Sequence, residues 1–501
     1  MQPLYQAVLM SWSIPPAASF ALALTALLYL RGWFLLRRAG LPFLPLWRAV
    51  SFILGLLSLW SALASPLDTF SGFVLTAHMV QHMILMMVAP PLILLGAPLI
   101  PLVRGLPIFA AREFAGPFLN WPPANRVGNA LTNPVVAMLL MGATMFAWHT
   151  PKLYELALAS GSWHEVEHTC FFLTSLLFWW PVIQPWPSRA QWPRWAMVPY
   201  LLVADLQNTA LAAILVFSDR VLYPSYTTEP SLFGFSPLHD QAASGAIMWV
   251  LGSLAYVVPA IVIAVQCLQR RPMPAETPFR RKREASSLDT LFAIPQRFPF
   301  ATRFLRRRLS GQAVEAISFV VLLAIAGVGL AAFASGSSND DDDQVVRLQQ
   351  QSGPFAVAVF GKAGDLDAGP ANFSVLVQDR ETQETLLDAI VDLSAQPAGD
   401  SRGAVSARAS TAESDNKLLQ SAELNLAAAG DWTLHIAVRG SSASADFLLP
   451  LQVAKPASSI AVPWPYLILL AFAAILLFVY VRRHRTAKTS PVEQVVSSLQ
   501  Q

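Results

Sequence analysis

Seven apolar segments follow one another in the first half of the chain, and each is close to the length that crosses a lipid bilayer. They lie near residues 14–36, 46–65, 71–99, 134–150, 165–183, 195–218 and 242–268. A helix needs about 20 such residues to span the hydrocarbon core. With 54% hydrophobic and 13% charged residues, the chain has the composition of a polytopic membrane protein. This composition excludes a soluble enzyme and a nucleic-acid-binding protein.

Two more apolar segments follow in the second half of the chain. We therefore predict an all-α polytopic membrane protein with a seven-helix bundle, plus two further transmembrane helices that flank a small β-sandwich domain. The predicted parts are the bundle at 1–268, a basic linker at 269–312, helix eight at 313–334, the β-sandwich domain at 335–462, helix nine at 463–481 and a tail at 482–501. The first apolar segment has no charged region or cleavage site before it, which predicts a retained helix rather than a signal peptide.

Basic residues concentrate in every second loop between the apolar segments. They are Arg31, Arg37, Arg38 and Arg48, then Arg104, Arg112 and Arg126, then Arg189 and Arg194, and then the six basic residues between 270 and 283. Basic loops stay in the cytoplasm. The N-terminus and the β-sandwich domain are therefore predicted on the extracytoplasmic side of the membrane, and the C-terminus is predicted in the cytoplasm. The linker arginines are expected against anionic lipid headgroups.

This orientation places six of the eight histidines at the outer end of the bundle. They are His78, His82, His149, His164, His168 and His239. His78 and His82 are four residues apart, and so are His164 and His168. This spacing puts both rings of a pair on the same face of a helix. Ionisable residues are rare within the membrane and mark functional sites there. One-sided clustering of this kind predicts a site built from several helices.

The residue types point to a soft or borderline metal ion. Neutral imidazole suits copper, zinc and iron, and thioether sulfur selects Cu(I). The candidate ligands are His78, His82, His149, His164 and His168, together with Met79, Met83 and Met86. Glu165 and Glu167 are candidate acceptors that hold the neighbouring imidazoles in place. His239 and His164 are the weaker histidine candidates, because they lie closest to the membrane surface.

Each of these residues has a simpler interpretation. An intramembrane histidine also serves as an interhelical hydrogen-bonding residue, and methionine also fills gaps in a core. Asp205, with Gln207 and Asn208 nearby, is either part of a proton or ion relay or a polar clamp between helices. Pro90 and Pro91 should end or kink the third segment below the histidines, because proline removes backbone hydrogen bonds.

Four ordered blocks of sequence resemble the CtaG family of cytochrome c oxidase assembly factors, the type associated with caa3 oxidases. The blocks are HMVQHMILMMVAPPLILLGAP from His78, AWHTP from Ala147, WHEVEH from Trp163 and SPLHDQ from Ser236. The similarity covers roughly residues 15–268. It implies a seven-helix protein of the bacterial inner membrane that helps to mature a haem–copper oxidase, with copper delivery as its task. The five candidate histidines and the pair Asp240 and Gln241 match the family pattern.

Short alternating apolar runs between about 345 and 455 predict the β-sandwich. The runs are 355–360, 372–377, 388–393, 422–426, 432–438 and 446–451, with Gly, Pro and Asp between them. The segment is loosely similar to FixH and YtkA-like domains. It has a single histidine, His435, and no methionine or cysteine, so it is a poor copper site by itself. A docking module for the oxidase or for a periplasmic copper chaperone is the better interpretation.

Three functions remain open from the sequence. The first is a non-enzymatic assembly factor that binds copper, as Cu(I), and delivers it to an oxidase subunit. The second is a haem protein, since paired histidines on neighbouring helices also serve as axial ligands. The third is a scaffold without a metal, in which the histidines only pack.

Overall fold

The computed structural model of the protein describes residues 2–269 and 344–455. Within these ranges it leaves out 39–43, 108–121, 186–187, 189, 229, 231, 233, 363–365, 399–402 and 441–442. The predicted helices eight and nine, most of the basic linker and the tail lie outside the described residues. The first range is helical and the second is built from β-strands.

Fourteen α-helices are described in the first range. They are α1 Gln2–Met10, α2 Pro16–Arg38, α3 Leu46–Ala64, α4 Pro66–Ser71, α5 Leu75–Met83, α6 Ala89–Leu95, α7 Leu99–Gly105, α8 Pro122–Leu131, α9 Pro134–Trp148, α10 Pro151–Leu158, α11 Gly161–Ile183, α12 Met197–Phe217, α13 Ser225–Thr228 and α14 Pro237–Gln269. A π-helical turn joins α5 to α6, and a 3₁₀ turn precedes α12.

Six helical stretches of the described residues are long and apolar enough to cross a membrane. They are Pro16–Arg38, Leu46–Ala64, Leu75–Leu95, Gly161–Ile183, Arg194–Phe217 and Pro237–Gln269. These correspond to six of the seven predicted segments, and the chain is a multi-pass membrane protein. The remaining segment forms the apolar helix α9, which has 15 residues. At 1.5 Å per residue it is about 22 Å long, shorter than the ~30 Å hydrocarbon core, so a count of seven stays a prediction.

Local sequence explains where α9 begins. Asn133 has an extended backbone conformation, and its side-chain oxygen accepts a hydrogen bond from the amide of Val135 at 3.0 Å. Pro134 occupies the first helical position, where its missing amide hydrogen is not needed. The helix therefore starts where the sequence supplies both signals, and it carries His149 to its far end.

The helix that bears His78 and His82 does not break at its prolines. Instead Ile84–Val88 forms a π-helical turn, closed by a hydrogen bond from the Ala89 amide to the Ile84 carbonyl. Pro90 has no amide hydrogen for the carbonyl of Met86, four residues earlier. The indole nitrogen of Trp179 on α11 donates to that carbonyl at 3.0 Å. The predicted interruption is thus a change of hydrogen-bond pattern, and the chain continues helically to Leu95.

The π turn also changes which side chains share a face. The spacing of four residues predicts that Met86 continues the stripe of His78 and His82. A π turn holds more residues than an α turn, so this spacing no longer applies beyond Ile84. Met79, Met83 and Met86 are all buried in the hydrophobic core of the bundle. Their role as copper ligands stays a prediction.

The second range folds as a β-sandwich, as predicted. Its strands are β1 Gln344–Ser352, β2 Phe355–Lys362, β3 Leu366–Asp367, β4 Gly369–Asp379, β5 Ile390–Pro397, β6 Val405–Arg408, β7 Gln420–Leu426, β8 Gly430–Arg439 and β9 Ser444–Ala454. One sheet has the order β1-β2-β4-β7 and the other β3-β9-β8-β5-β6. Five of the six predicted runs lie within strands, and the run 388–393 begins two residues before β5. Strands β1, β3 and β6 are additional.

The four-stranded sheet packs on the helical domain. Phe360 of β2 meets Phe73, which lies just before α5, with ring centroids 5.6 Å apart. The Lys417 amide donates to the hydroxyl of Ser11 at 2.9 Å, and Ser11 is fully buried. A shared apolar cluster surrounds these contacts and includes Phe70, Leu232, Ala358, Leu376, Leu418 and Leu419, with Leu4, Ala7, Val8 and Ala77 at its edge. The sandwich therefore lies over the end of the bundle at which α5 begins.

Candidate metal centre

Four histidine rings from two helices meet inside the bundle. His78 and His82 on α5 have ring centroids 4.2 Å apart, and His164 and His168 on α11 have centroids 4.1 Å apart. Across the helices, His78 lies 5.2 Å from His164, and His82 lies 5.3 Å from His168. The two predicted pairs therefore face each other. We call these four residues, together with Glu167, the histidine–glutamate cluster.

Glu167 brings a carboxylate into the centre of this cluster. Glu167 is fully buried. Its Oε2 lies 3.8 Å from Nε2 of His78, and its Oε1 lies 3.9 Å from Nε2 of His82. One ligand atom each from His78, His82, His164 and Glu167 lie within 4.8 Å of one another. Four ligands at ~2.1 Å around a tetrahedral ion are about 3.4 Å apart, so the widest separation between these ligand atoms has to shorten by at most about 1.4 Å.

The cluster contains buried polar atoms that have no hydrogen-bond partner among the described residues. They include both ring nitrogens of His82, Nε2 of His164, Nε2 of His168 and both carboxylate oxygens of Glu167. Buried polar groups in proteins are nearly always hydrogen-bonded, and exceptions mark ions, waters or functional sites. Imidazole nitrogen and carboxylate oxygen are both metal ligands. The donor set therefore fits a metal ion better than it fits a packed core.

His149 lies beside the cluster and outside its group of ligand atoms. Its Nδ1 donates to the Met145 carbonyl at 2.7 Å, which leaves Nε2 as the lone-pair nitrogen, and that atom is buried without a partner among the described residues. Its ring contacts Phe171 at 6.0 Å, and Phe171 contacts His82 at 4.7 Å. The structure thus places four of the five predicted histidines together and His149 next to them.

A set of buried tyrosines, which the sequence reasoning missed, surrounds the cluster. The ring of Tyr154 lies 5.1 Å from that of His78. Its hydroxyl is 3.1 Å from the hydroxyl of Tyr226, which donates to the Ser71 carbonyl at 2.8 Å, and Tyr223 donates to the His149 carbonyl at 3.1 Å. All three tyrosines are buried. The sequence did contain a signal for them: Tyr154 closely follows His149, and Tyr223 and Tyr226 precede His239.

Asp240 and Gln241, at the start of α14, position the helices instead of joining the ligand group. The Asp240 carboxylate accepts hydrogen bonds from the amides of Leu75 and Thr76 at 2.7 and 3.1 Å. It therefore caps the N-terminus of α5 from another helix. The buried Gln241 accepts from the Leu222 amide at 2.7 Å and donates to the Arg220 carbonyl at 3.2 Å, which fixes the loop after α12.

Replacing Asp240 by Ala is expected to lower the free energy of unfolding by about 1–2 kcal/mol, the range for a lost helix cap. Thermal unfolding of the purified protein measures the change. Asp219→Ala is the matched control, because its side chain is 95% exposed and its ion pair is with the adjacent Arg220. Equal stability of the two variants would contradict a positioning role for Asp240.

Three other predicted polar residues are not among the grouped ligands. Asp205 on α12 accepts a hydrogen bond from the hydroxyl of Ser253 on α14 at 2.7 Å. The neighbouring Asn208 donates to the Met248 carbonyl at 3.1 Å. These contacts join α12 to α14, as the interpretation of a polar clamp between helices expects. Glu165 is partly buried on α11 and is not one of the grouped ligands.

Comparison with known proteins gives one family and several relatives. Residues 27–270 match the family described as cytochrome c oxidase caa3 assembly factor, Caa3_CtaG. Uncharacterized proteins Mb0105 of Mycobacterium bovis and MT0111 of Mycobacterium tuberculosis are each 25% identical over 277 residues, which is 53% of this chain and 40% of theirs. ML1998 of Mycobacterium leprae is 25% identical over 242 residues, 48% of this chain and 36% of its own.

The chain thus spans about two fifths of the length of the curated relatives it matches. No solved structure gives a significant match. The matched residues 27–270 run from α2 to the end of α14 and include every residue of the histidine–glutamate cluster. The membrane domain of the chain is therefore similar to the cytochrome c oxidase caa3 assembly factor family, and the match covers just under half of the 501 residues.

Proposed function

We propose that this protein binds copper in the histidine–glutamate cluster and passes it to a subunit of a haem–copper oxidase during assembly. The observation that carries the proposal is the convergence of His78, His82, His164 and Glu167. Their ligand atoms lie within 4.8 Å of one another, and the Glu167 carboxylate accepts no hydrogen bond from the described residues. The similarity to an oxidase assembly factor family suggests the task. A haem–copper oxidase needs copper while it is assembled. Copper is the cargo here, and the chain acts as a carrier rather than as an enzyme.

The orientation of the chain supports the same proposal. The basic loops favour an N-terminus outside and a C-terminus in the cytoplasm, and the similarity to an oxidase assembly factor family favours the bacterial inner membrane. The cluster then lies in the outer half of the membrane, within reach of a periplasmic copper chaperone. His78 is the fourth residue of α5 and His164 is the fourth residue of α11. Ligands about one turn from the start of each helix are well placed to accept and release an ion at that end of the bundle.

The geometry argues against the haem interpretation. A bis-histidine haem has a flat macrocycle between its two axial imidazoles. The ring pairs across α5 and α11 are 5.2 and 5.3 Å apart, and Glu167 lies between the same helices. This spacing leaves no slot for a porphyrin among the described residues. The unsatisfied ligand atoms argue equally against a scaffold whose histidines only pack.

The experiment compares the oxidase purified from cells that lack this protein with the oxidase from complemented cells. We expect less copper per oxidase in the deletion strain, with unchanged haem content and unchanged amounts of the oxidase subunits. The purified full chain from copper-replete cells should contain copper and show no haem absorption band. An oxidase with normal copper in the deletion strain would reject the proposal. A haem band in the purified chain would favour the bis-histidine alternative.

A further inference from the structure

We infer, resting on the proposed function, that Glu167 is itself a ligand and that the site takes copper as Cu(II). The sequence alone points to Cu(I), because methionines accompany the histidines. The ligand group in the structure contains three imidazole nitrogens and one carboxylate oxygen. Soft Cu(I) selects thiolate and thioether sulfur, whereas imidazole and carboxylate suit divalent ions.

Burial of Glu167 supports this assignment independently of ligand preference. An ionised carboxylate is expensive to bury unless it is paired or coordinates a metal. Within the part of the chain that the structure describes, its ion-pairing contacts are with His78 and His82, at 3.8 and 3.9 Å, and neither contact is a hydrogen bond. Neutral imidazoles do not compensate a negative charge. A divalent cation bound between the rings does.

The position of Glu167 on its helix explains how it reaches the ion together with the histidines. It lies three residues after His164 and one before His168 on α11. Residues three and four apart on a helix are neighbours, so His164, Glu167 and His168 share one side. His78 and His82 occupy the facing side of α5. The carboxylate therefore completes a set of ligands from two helices, with His168 adjacent.

Charge near the helix ends favours the same arrangement. The N-terminus of a helix carries a partial positive charge, which opposes a cation bound one turn away. Asp240 offsets this at α5, where its carboxylate accepts the amides of Leu75 and Thr76. Glu167 supplies the negative charge directly at the ion. With both carboxylates in place, a divalent ion near these two helix starts is balanced.

The test compares copper binding by the full-length wild-type chain with binding by Glu167→Gln, which keeps the shape and removes the charge. Each protein is titrated with Cu(II) in air and, separately, with Cu(I) under anaerobic conditions against a competing chelator. The wild-type chain should give a Cu(II) electron paramagnetic resonance spectrum with hyperfine splitting from several nitrogens. Glu167→Gln should weaken Cu(II) binding by tenfold or more, since loss of an outer partner alone gives about 10–100-fold.

Asp219→Asn is the matched control, because it removes a carboxylate whose side chain is 95% exposed and which is not one of the grouped ligands. It should bind Cu(II) like the wild type. Equal Cu(II) binding by Glu167→Gln would overturn the inference, and so would a wild-type chain that binds Cu(I) alone. The wild-type titrations decide the oxidation state even where a variant fails to fold. If the chain binds copper in neither state, the proposed function fails with it.

Discussion

A protein that carries both His78→Ala and His82→Ala is expected to insert into the membrane and to lose its copper. The two substitutions remove two of the four grouped ligand atoms, and both come from the same face of α5. The loss should exceed the roughly 10- to 100-fold that removal of an outer-shell partner produces. Metal analysis of the purified variant from copper-replete cells measures it. In cells that carry only this variant, the oxidase should contain as little copper as the oxidase of the deletion strain.

The double variant should remain folded, because alanine is a good helix former and leaves fewer buried polar atoms. Membrane fractionation and gel filtration check this point. His239→Ala is the matched control: His239 is exposed near the start of α14 and lies outside the ligand group. It should retain copper as the wild type does. Normal copper in the oxidase made beside the double variant would contradict the transfer of copper through this cluster.

The pairing of the four central histidines was predictable from spacing alone. Two residues four apart lie on one helical face, so each pair had to act together once its segment was helical. Which histidines on other helices each pair would face was not predictable in the same way. His149 has the same predicted depth as the others, yet it is not one of the grouped ligands, and its ring contacts Phe171, which in turn contacts His82. Which rings meet depends on how the helices pack.

Glu167 shows a second limit of the sequence. Both Glu165 and Glu167 lie between the histidines of α11, and either was a candidate acceptor. Each residue of a helix adds a rotation of about 100°, so side chains two residues apart point about 200° apart and the two carboxylates lie on nearly opposite sides of α11. The structure buries Glu167 between the helices and leaves Glu165 partly buried outside the ligand group. The direction is fixed by the contact between α5 and α11, which the sequence does not state.

The π turn below His82 escaped prediction for a related reason. Adjacent prolines predict an interruption, because neither can donate a backbone hydrogen bond. Whether the chain breaks or widens depends on whether another group satisfies the freed carbonyl. Here the indole of Trp179 donates to the Met86 carbonyl at 3.0 Å. That donor comes from a helix nearly a hundred residues away, so only the tertiary structure reveals it.

The sequence contains a signal for the docking of the β-sandwich that alternating apolar residues alone do not reveal. A strand with one buried face alternates between apolar and polar residues, whereas a strand buried on both faces is a continuous apolar run. Residues 355–360 read FAVAVF, which is apolar at both alternations. In β2, Val357 and Val359 belong to the core of the sandwich, and Ala358 and Phe360 belong to the cluster shared with the bundle. The second face is buried by the membrane domain.

Cysteines placed at Phe73 and Phe360 are therefore expected to be joined by a short bifunctional maleimide in intact membranes. The two native rings are 5.6 Å apart, and the apolar cluster around them holds the sandwich against the bundle. The native Cys170 and Cys267 are replaced by serine so that only the new pair reacts. The control pairs Phe73→Cys with Leu448→Cys, since Leu448 is 56% exposed on the other sheet. That pair should stay unlinked.

The cross-linked protein should also release copper to a chelator more slowly than the same protein before linking. Phe73 and Ala77 both belong to the docking contact, and the first ligand, His78, follows Ala77 directly. We therefore expect a sandwich held on this end of the bundle to slow the exit of the ion past the start of α5. A free energy of docking of about 1.4 kcal/mol keeps the contact closed ten times in eleven, and linking removes the open fraction. Unchanged release from the linked protein would mean that copper leaves by another route, while absence of linking would contradict the docking itself.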